Sequence, residues 1–375
     1  MLTLLGATAP AATSTFCNPI NIDYRFSFDR PSHREAADPT MVVHGNTYWL
    51  FPSKSGGYWH SEDMNEWVFV EPTGLPIETY APMVVVLGEL WYWTAFNAKA
   101  IFRTEVRQSN LTLTEVRQSN PNPNSNPNPN QDPKTGNWTR VADLNAYPDP
   151  GMLVDDDGRV FMYSGCSDDG PISAVELNSS TWREIGAPVV ALRPNSSVRG
   201  FEQGGENNEL PGKTPYVEGA WMTKLGGRQP SRGPNPNPHP NPNPSPSTQP
   251  SPTPQPLALA RYYLQYAVPG TQFKTYADGL YVADAPTGPF RFVRSSPFAH
   301  KPTGFAAGAG HSSTFAQPGG GPAGVAGGAA GLWHVSTITI SVRQMFERRL
   351  GIYPLTHDAA SGTLVADEPR PYPQS

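Results

Sequence analysis

Short apolar runs in this chain are broken by tight turns, and the runs recur in one order. Met41-Val42-Val43-His44 leads through Gly45-Asn46 into Tyr48-Trp49-Leu50-Phe51, an apolar strand turning back as an aromatic one. Tyr58-Trp59-His60 and Trp67-Val68-Phe69-Val70 continue as two further strands. A second group opens with Met83 to Leu87, turns at Gly88-Glu89, and returns as Leu90-Trp91-Tyr92-Trp93, with Ile101 to Arg103 and Trp138 to Val141 behind it. A third runs Met152 to Val154, Arg159 to Tyr163, Ile172 to Leu177 and Trp182 to Ile185. A fourth runs Ala220 to Thr223, Arg261 to Tyr266, Gly279 to Ala283 and Phe290 to Val293. The fifth holds Ser312 to Phe315, Leu332 to Ser336, Arg348 to Tyr353 and Leu364 to Ala366. Four short strands repeated radially predict an all-β, five-bladed β-propeller. A two-sheet sandwich is the other all-β layout, but it has no need of five copies of one hairpin unit.

Two stretches break this grammar. Residues 121–130 read PNPNSNPNPN, and residues 233–256 carry proline at nearly every second position. Proline removes backbone donors and restricts φ, so neither helix nor ladder can form there. Gly319 to Gly331 is a third, Gly/Ala-rich stretch, and Thr104 to Asn110 is duplicated as Thr114 to Asn120. The 43 prolines among 375 residues thus concentrate in inserts rather than in the strand units. The expected organisation is residues 1–15 as a disordered or degenerate signal segment and residues 16–368 as one propeller, followed by a tail from 369. Disordered low-complexity insertions are expected at 120–133, 228–257 and 317–331. They fall between strands of a blade, where a loop grows at small entropic cost.

Candidate chemistry sits at the heads of the groups. Asp38-Pro39 precedes the first strand of group one, Asp149-Pro150 that of group three and Glu218-Gly219 that of group four, and His311 holds the same place in group five. The innermost strand of a propeller blade starts near the axis, so these side chains are expected to converge at one mouth. One carboxylate to take a proton from water, one to give a proton to a leaving oxygen and a third to tune them make a glycoside-cleaving centre. Asp-Pro also starts ordinary turns, so each motif is weak alone, and their order carries the argument. Glu218 lies in Tyr216-Val217-Glu218-Gly219-Ala220-Trp221, apolar enough to raise a carboxyl pKa by burial. Asp155, Asp156 and Asp157 before Gly158 read as a type I′ hairpin turn.

These motifs resemble those of family 43 glycoside hydrolases, the five-bladed arabinanase and xylosidase group. The resemblance spans roughly residues 16–368 and includes Cys17 to Phe26, Ser53 to Trp59 and Ala277-Asp278-Gly279 as marks of a less-studied branch. It implies Asp38 as general base, Asp149 as the group adjusting the acid's pKa and Glu218 as general acid, acting with inversion. It places His311 on the axis beside water or an ion such as a structural Ca2+, with no organic cofactor required. A retaining, β-fructosidase-like chemistry expects Asn-Asp-Pro-Asn, whereas residues 37–40 read Ala-Asp-Pro-Thr. A carbohydrate-binding propeller without turnover is the alternative from a different class.

Composition trims the rest. Net charge is −5 with no basic block, which argues against nucleic acid as a partner. No apolar run is long enough to span a bilayer. The expected partner is an oligo- or polysaccharide of plant or algal type, bound by a monomer, and the N-terminal segment suggests secretion, while the four glycosylation sequons decide little in a chain this rich in Asn, Ser and Thr. Cys17 and Cys166 are the two cysteines and form no metal-ligand cluster by spacing. Aromatics make up 11% of the chain. Each is core by default, while Trp59, Tyr80 and Trp221 are the candidates for stacking on sugar, and Asn207-Asn208 for the pocket rim.

Overall fold

The computed structural model describes residues 18–105, 133–226, 260–300, 306–317, 331–340, 346–358 and 361–367. The interiors of the expected inserts, residues 1–15, Cys17 and the tail from 369 fall outside this set. Five four-stranded antiparallel units follow one another. Unit one is β1 (Ala37–His44), β2 (Thr47–Ser53), β3 (Tyr58–Ser61) and β4 (Val68–Val70). Unit two is β5 (Met83–Leu87), β6 (Leu90–Thr94), β7 (Ala100–Glu105) and β8 (Thr139–Asp143). In unit three, β9 (Gly151–Val154) and β10 (Val160–Ser164) are followed by the short β11 (Ser167–Asp168), then β12 (Ile172–Leu177) and β13 (Glu184–Leu192). β11 leaves its unit and pairs with β14 (Tyr216–Leu225), the first strand of unit four. That unit continues with β15 (Arg261–Val268), β16 (Ala277–Ala283) and β17 (Arg291–Phe292). Unit five is β18 (Ala307–Ala316), β19 (Leu332–Thr339), β20 (Arg348–Asp358) and β21 (Thr363–Ala366).

The side chains show that the units stand in a ring. Side chains alternate across a strand, and here both faces of the inner strands are buried. From β2, Trp49 and Phe51 join Trp91, Trp93 and Trp138 of unit two, while Tyr48 and Leu50 join Phe315, Trp333 and Ile352 of unit five. From β10, Val160 and Met162 pack toward Met83 and Tyr92 of unit two, while Phe161 and Tyr163 pack toward Leu264 and Tyr266 of unit four. Tyr263 and Leu280 of unit four meet Leu332 and Leu355 of unit five. Five clusters therefore fill the five interfaces of a closed, five-bladed propeller, and the sandwich is excluded. The segment before β1 completes the closure. The Ile20 amide donates to the Leu350 carbonyl at 3.0 Å, and Asn18 exchanges two 2.8 Å hydrogen bonds with the Ile352 backbone.

Local chemistry explains the turns. Gly45 and Gly88 each take positive φ at the first of two loop positions, and Asn46 and Glu89 after them do not, the type II′ hairpin pattern. The Asp155–Gly158 turn corrects the sequence reading. Only Gly158 has positive φ (81°), so the turn is not type I′. Asp155 is buried and takes part in no mere turn: its carboxylate accepts from Lys224 Nζ and, at 2.7 Å, from the Tyr262 hydroxyl, tying blade three to blade four.

Trp59 is a second correction. It is 1% exposed and meets Phe69 edge-on in the cluster between blades five and one, so no ring face is free for a sugar. We expect Trp59→Ala to destabilise the fold by about 3–5 kcal/mol, the cost of emptying a buried indole site. Urea unfolding should show it as a lowered midpoint with an unchanged slope.

Candidate active site

Each blade enters the mouth of the ring through a backbone kink. Asp38 (φ 48°), Ala81 (φ 44°), Asp149 (φ 44°), Gly219 (φ 63°) and His311 (φ 47°) stand in or just ahead of β1, β5, β9, β14 and β18, all in the left-handed region. β1, β14 and β18 carry register shifts at the same places. Such backbone disfavours side chains with a Cβ and persists only where its surroundings hold it. It turns four polar side chains inward. Blade two supplies only Ala81, and in blade four the acid, Glu218, comes one residue before the kink.

The residues singled out from sequence meet here. His311 Nδ1 lies 3.3 Å from Asp38 Oδ1 and 3.5 Å from Asp149 Oδ2. Asp149 Oδ2 also accepts from the Gly219 amide at 3.4 Å. Oxygens of Asp149 and Glu218 and the Cys166 sulfur lie within 4.8 Å of one another. Glu218 accepts from the Tyr276 hydroxyl at 2.5 Å and from the Cys166 thiol at 3.6 Å. Asp38 accepts from Ser53 Oγ at 2.6 Å and from Arg348 Nη1 at 3.4 Å, while its own amide donates to Thr337 Oγ1 at 2.7 Å. Arg348 in turn is bound to Glu35, whose other oxygen faces His33 Nε2 at 2.9 Å. The His311 amide donates to Asp278 Oδ1 at 3.1 Å, which pins the kink of blade five.

These neighbours split the three carboxyls electrostatically. Burial would raise the Asp38 carboxyl, but Arg348, His311 and the Ser53 hydroxyl outweigh it and hold it below the usual carboxylate range. Asp149 goes the other way. Burial, with Glu218 and Asp38 beside it, pushes it up to about 7 against the pull of His311. Burial also raises Glu218, and Asp38 adds to the rise, while His311, Tyr276 and Arg348 oppose it. Asp149 and Glu218 therefore act as one coupled pair that keeps a proton toward neutral pH. For His311, burial would lower the pKa, but Asp38, Asp149 and Glu218 raise it on balance.

Sequence reasoning found the acids and missed what orders them. Tyr276, Arg348, Glu35, Ser53, Thr337 and Cys166 carry no local motif. The usable signals were faint: Glu35 three residues ahead of Asp38, and Tyr276 before Ala277-Asp278-Gly279. The stacking candidates separate. Tyr80 is half-buried next to the blade-two kink, with Lys54 Nζ over its ring at 4.7 Å and its hydroxyl 3.5 Å from Asp29 Oδ2. Trp221 is half-buried and packs into the cluster between blades two and three. Asn207 and Asn208 line a cleft of about 460 Å³ with Phe201, Lys274 and His300, whose wall includes Thr275 and Ala277 on either side of Tyr276.

No protein-family model matches the sequence, and no curated protein matches it. Solved structures do. A thermostable family-43 glycoside hydrolase superposes with a TM-score of 0.59 at 17% identity, over 96% of this chain and 98% of that one. A xylan β-1,4-xylosidase from Bacillus halodurans gives 0.55 at 16% identity, over 96% of this chain and 58% of that protein. An α-L-arabinanase from Cellvibrio cellulosa, solved with arabinohexaose, gives 0.51 at 17% identity, over 90% and 96%. The fold is the family-43 propeller. At such identities the likeness speaks for the fold alone, and the chemistry has to be argued from the residues.

Gly219 is a point of close approach in this centre. A Cβ there would meet His311 Cγ at 2.8 Å, in a backbone region that side chains avoid. Gly219→Ala should therefore cost about 1–3 kcal/mol of stability and displace the imidazole. Thermal melts and the His311 ring resonances in NMR check both.

Proposed function

We propose that this protein is a glycoside hydrolase cleaving an oligo- or polysaccharide of plant or algal type with inversion at the anomeric carbon. The observation that carries the reading is the split among three buried carboxyls at one mouth. A general base must be ionised and a general acid protonated at the same pH. Asp38 is held ionised, while the Asp149–Glu218 pair holds a proton. Asp38 would take a proton from water as the water attacks the anomeric carbon. Glu218 would donate to the departing glycosidic oxygen. Asp149 is less a fixed anion than a partner sharing the acid's proton, and its Gly219 and His311 contacts hold it in place.

Asp149 and Glu218 lie too close to admit an attacking water between them, since inversion needs about 6.5–9.5 Å between working carboxyls. This favours Asp38 as the partner of Glu218. Aryl substrates followed by NMR test it. The first-formed sugar should have the opposite anomeric configuration to the substrate, and retention would overturn the inverting assignment. His311 serves in this reading as a cation that keeps Asp38 ionised. A Ca2+ ligated there does not fit, because Ca2+ takes 6–8 oxygen ligands and this nitrogen stands as a donor between two carboxylates. Tyr80 on the blade-two side and the cleft beside Tyr276 are where sugar units would lie.

The pH dependence follows from the signs. Asp38 has a lowered pKa, so the rate falls only when pH drops through that low value. Glu218 has a raised pKa and must be protonated, so the rate falls as pH rises through it. The kcat/KM profile should be a bell whose alkaline limb disappears in Glu218→Gln. That variant should lose about 10²–10⁴-fold on natural linkages and recover on aryl glycosides whose leaving group needs no proton. Asp38→Asn should not recover. A propeller that only binds sugar would show saturable binding with no turnover for these substitutions to change.

A further inference from the structure

Cys166 lies between β10 and β11 and ends at the acid side of the mouth. Its sulfur is 3.6 Å from Glu218 Oε2 and 3.4 Å from the Tyr216 hydroxyl. Asp149, Cys166 and Glu218 come from three separate stretches of blades three and four, yet one donor atom of each lies within 4.8 Å of the others. Two carboxylates and a thiolate around Zn2+, with Zn–S near 2.3 Å and Zn–O near 2.1 Å, require a sulfur-to-oxygen spacing of about 3.6 Å in tetrahedral geometry. The Cys166–Glu218 contact already has that spacing.

A second observation concerns charge. Asp38 has both Arg348 and His311 against it, and Asp149 shares His311. Among the described residues, Glu218 has no cationic side chain within ion-pair distance; its oxygens face only the Tyr276 hydroxyl and the Cys166 thiol. The acid side of the mouth thus offers, at Glu218, a carboxylate with no cation in direct contact beside a thiol, while His311 reaches only Asp149 of the pair. A sulfur ligand selects soft cations over Ca2+ and Mg2+.

We propose that Asp149, Cys166 and Glu218 form a binding site for a thiophilic divalent cation, Zn2+ or Cd2+, that inhibits the enzyme. Binding forms a metal–sulfur bond and releases the Cys166 thiol proton to solvent. It also takes up the Asp149 and Glu218 carboxylates and releases to solvent the proton that this pair held, so Glu218 has none to donate. The His311 ring beside Asp149 opposes the incoming charge and sets the affinity below that of a closed structural site. Only the inhibition rests on the hydrolase reading; the metal site itself does not.

The full-length protein, freed of metal, should be titrated with Cd2+ while cadmium–thiolate charge transfer is followed in the near ultraviolet. We expect a saturable band at one equivalent. It should persist in Cys17→Ser, vanish in Cys166→Ser, and need at least roughly tenfold more Cd2+ in Glu218→Gln. Millimolar Mg2+ should not displace it. Zn2+ should suppress hydrolysis of natural glycosidic linkages, which need the Glu218 proton, over the range in which it displaces Cd2+. No saturable band in the wild type, or a band that survives in Cys166→Ser, overturns the proposal. Cadmium binding without any hydrolysis would leave the site standing and sink the hydrolase reading instead. Hydrolysis without cadmium binding would do the reverse.

Discussion

Glu35, Asp38, Asp149 and Glu218 are each between 0% and 9% exposed, and they crowd one end of the ring axis. Burying a carboxylate is expensive unless a cation and hydrogen bonds accompany it. The compensation here is unevenly shared. Arg348 binds Glu35 and Asp38 together, and His311 spans Asp38 and Asp149. Glu218 is left with neutral donors. In a low-dielectric setting such asymmetry has large effects, so the carboxyls cannot all ionise alike. The best-compensated one gives up its proton first, and the least-compensated pair retains one. Where two cations sit thus decides which carboxyl is ionised and which keeps a proton.

Those cations are held by the ring rather than by their neighbours in sequence. Arg348 opens β20, whose inner end is paired on one side with β19 and bonded on the other by residues 18–24. His311 rides on the blade-five kink, which Asp278 of blade four holds through the backbone amide. Tyr276, fully buried, reaches Glu218 because Gly310 leaves its ring room: a Cβ there would come within 2.6 Å of it. Contacts between blades therefore set the centre, and the five aromatic-rich clusters that lock the blades also fix the distances among the acids. Seven of the nine tryptophans belong to those clusters, which is why aromatic content by itself was a poor guide to sugar-stacking rings. Trp59 shows this most plainly.

Much of the fold was legible in sequence because a propeller blade is local: hairpins with short turns and consecutive strands carry their own signals. β5 and β12 match their expected spans, and most others differ by a few residues at their ends. β13 runs on to Leu192 and β14 begins at Tyr216, both beyond the spans expected from sequence, and β11 is only two residues long. The acids were legible because each carries a short local motif in or just ahead of the first strand of its blade. Their partners were not, since Arg348, Tyr276 and Cys166 reach the mouth by packing across 50 to 310 residues of sequence. The same limit explains Asp155. Its Asp-Asp-Asp-Gly context signals a turn, while its partners Lys224 and Tyr262 lie in the next blade.

The low-complexity inserts are reconciled with an ordered centre by topology. The innermost strand of each blade starts at the mouth, so the loops joining first to second and third to fourth strands lie at the opposite face. Residues 106–132 fall between β7 and β8, residues 227–259 between β14 and β15, and residues 318–330 between β18 and β19. The strand ends that flank each of these segments lie at that opposite face. The strands they separate stay in register up to the break, with Arg103 beside Thr139, Leu225 beside Arg261 and Ala316 beside Leu332. The chain leaves and rejoins each blade at neighbouring residues, so lengthening the excursion costs only a slowly growing loop entropy. In β14 the break comes seven residues after Glu218, roughly 23 Å along an extended strand. The backbone kinks, the clusters between blades and the charges at the mouth are all built from residues outside these three segments.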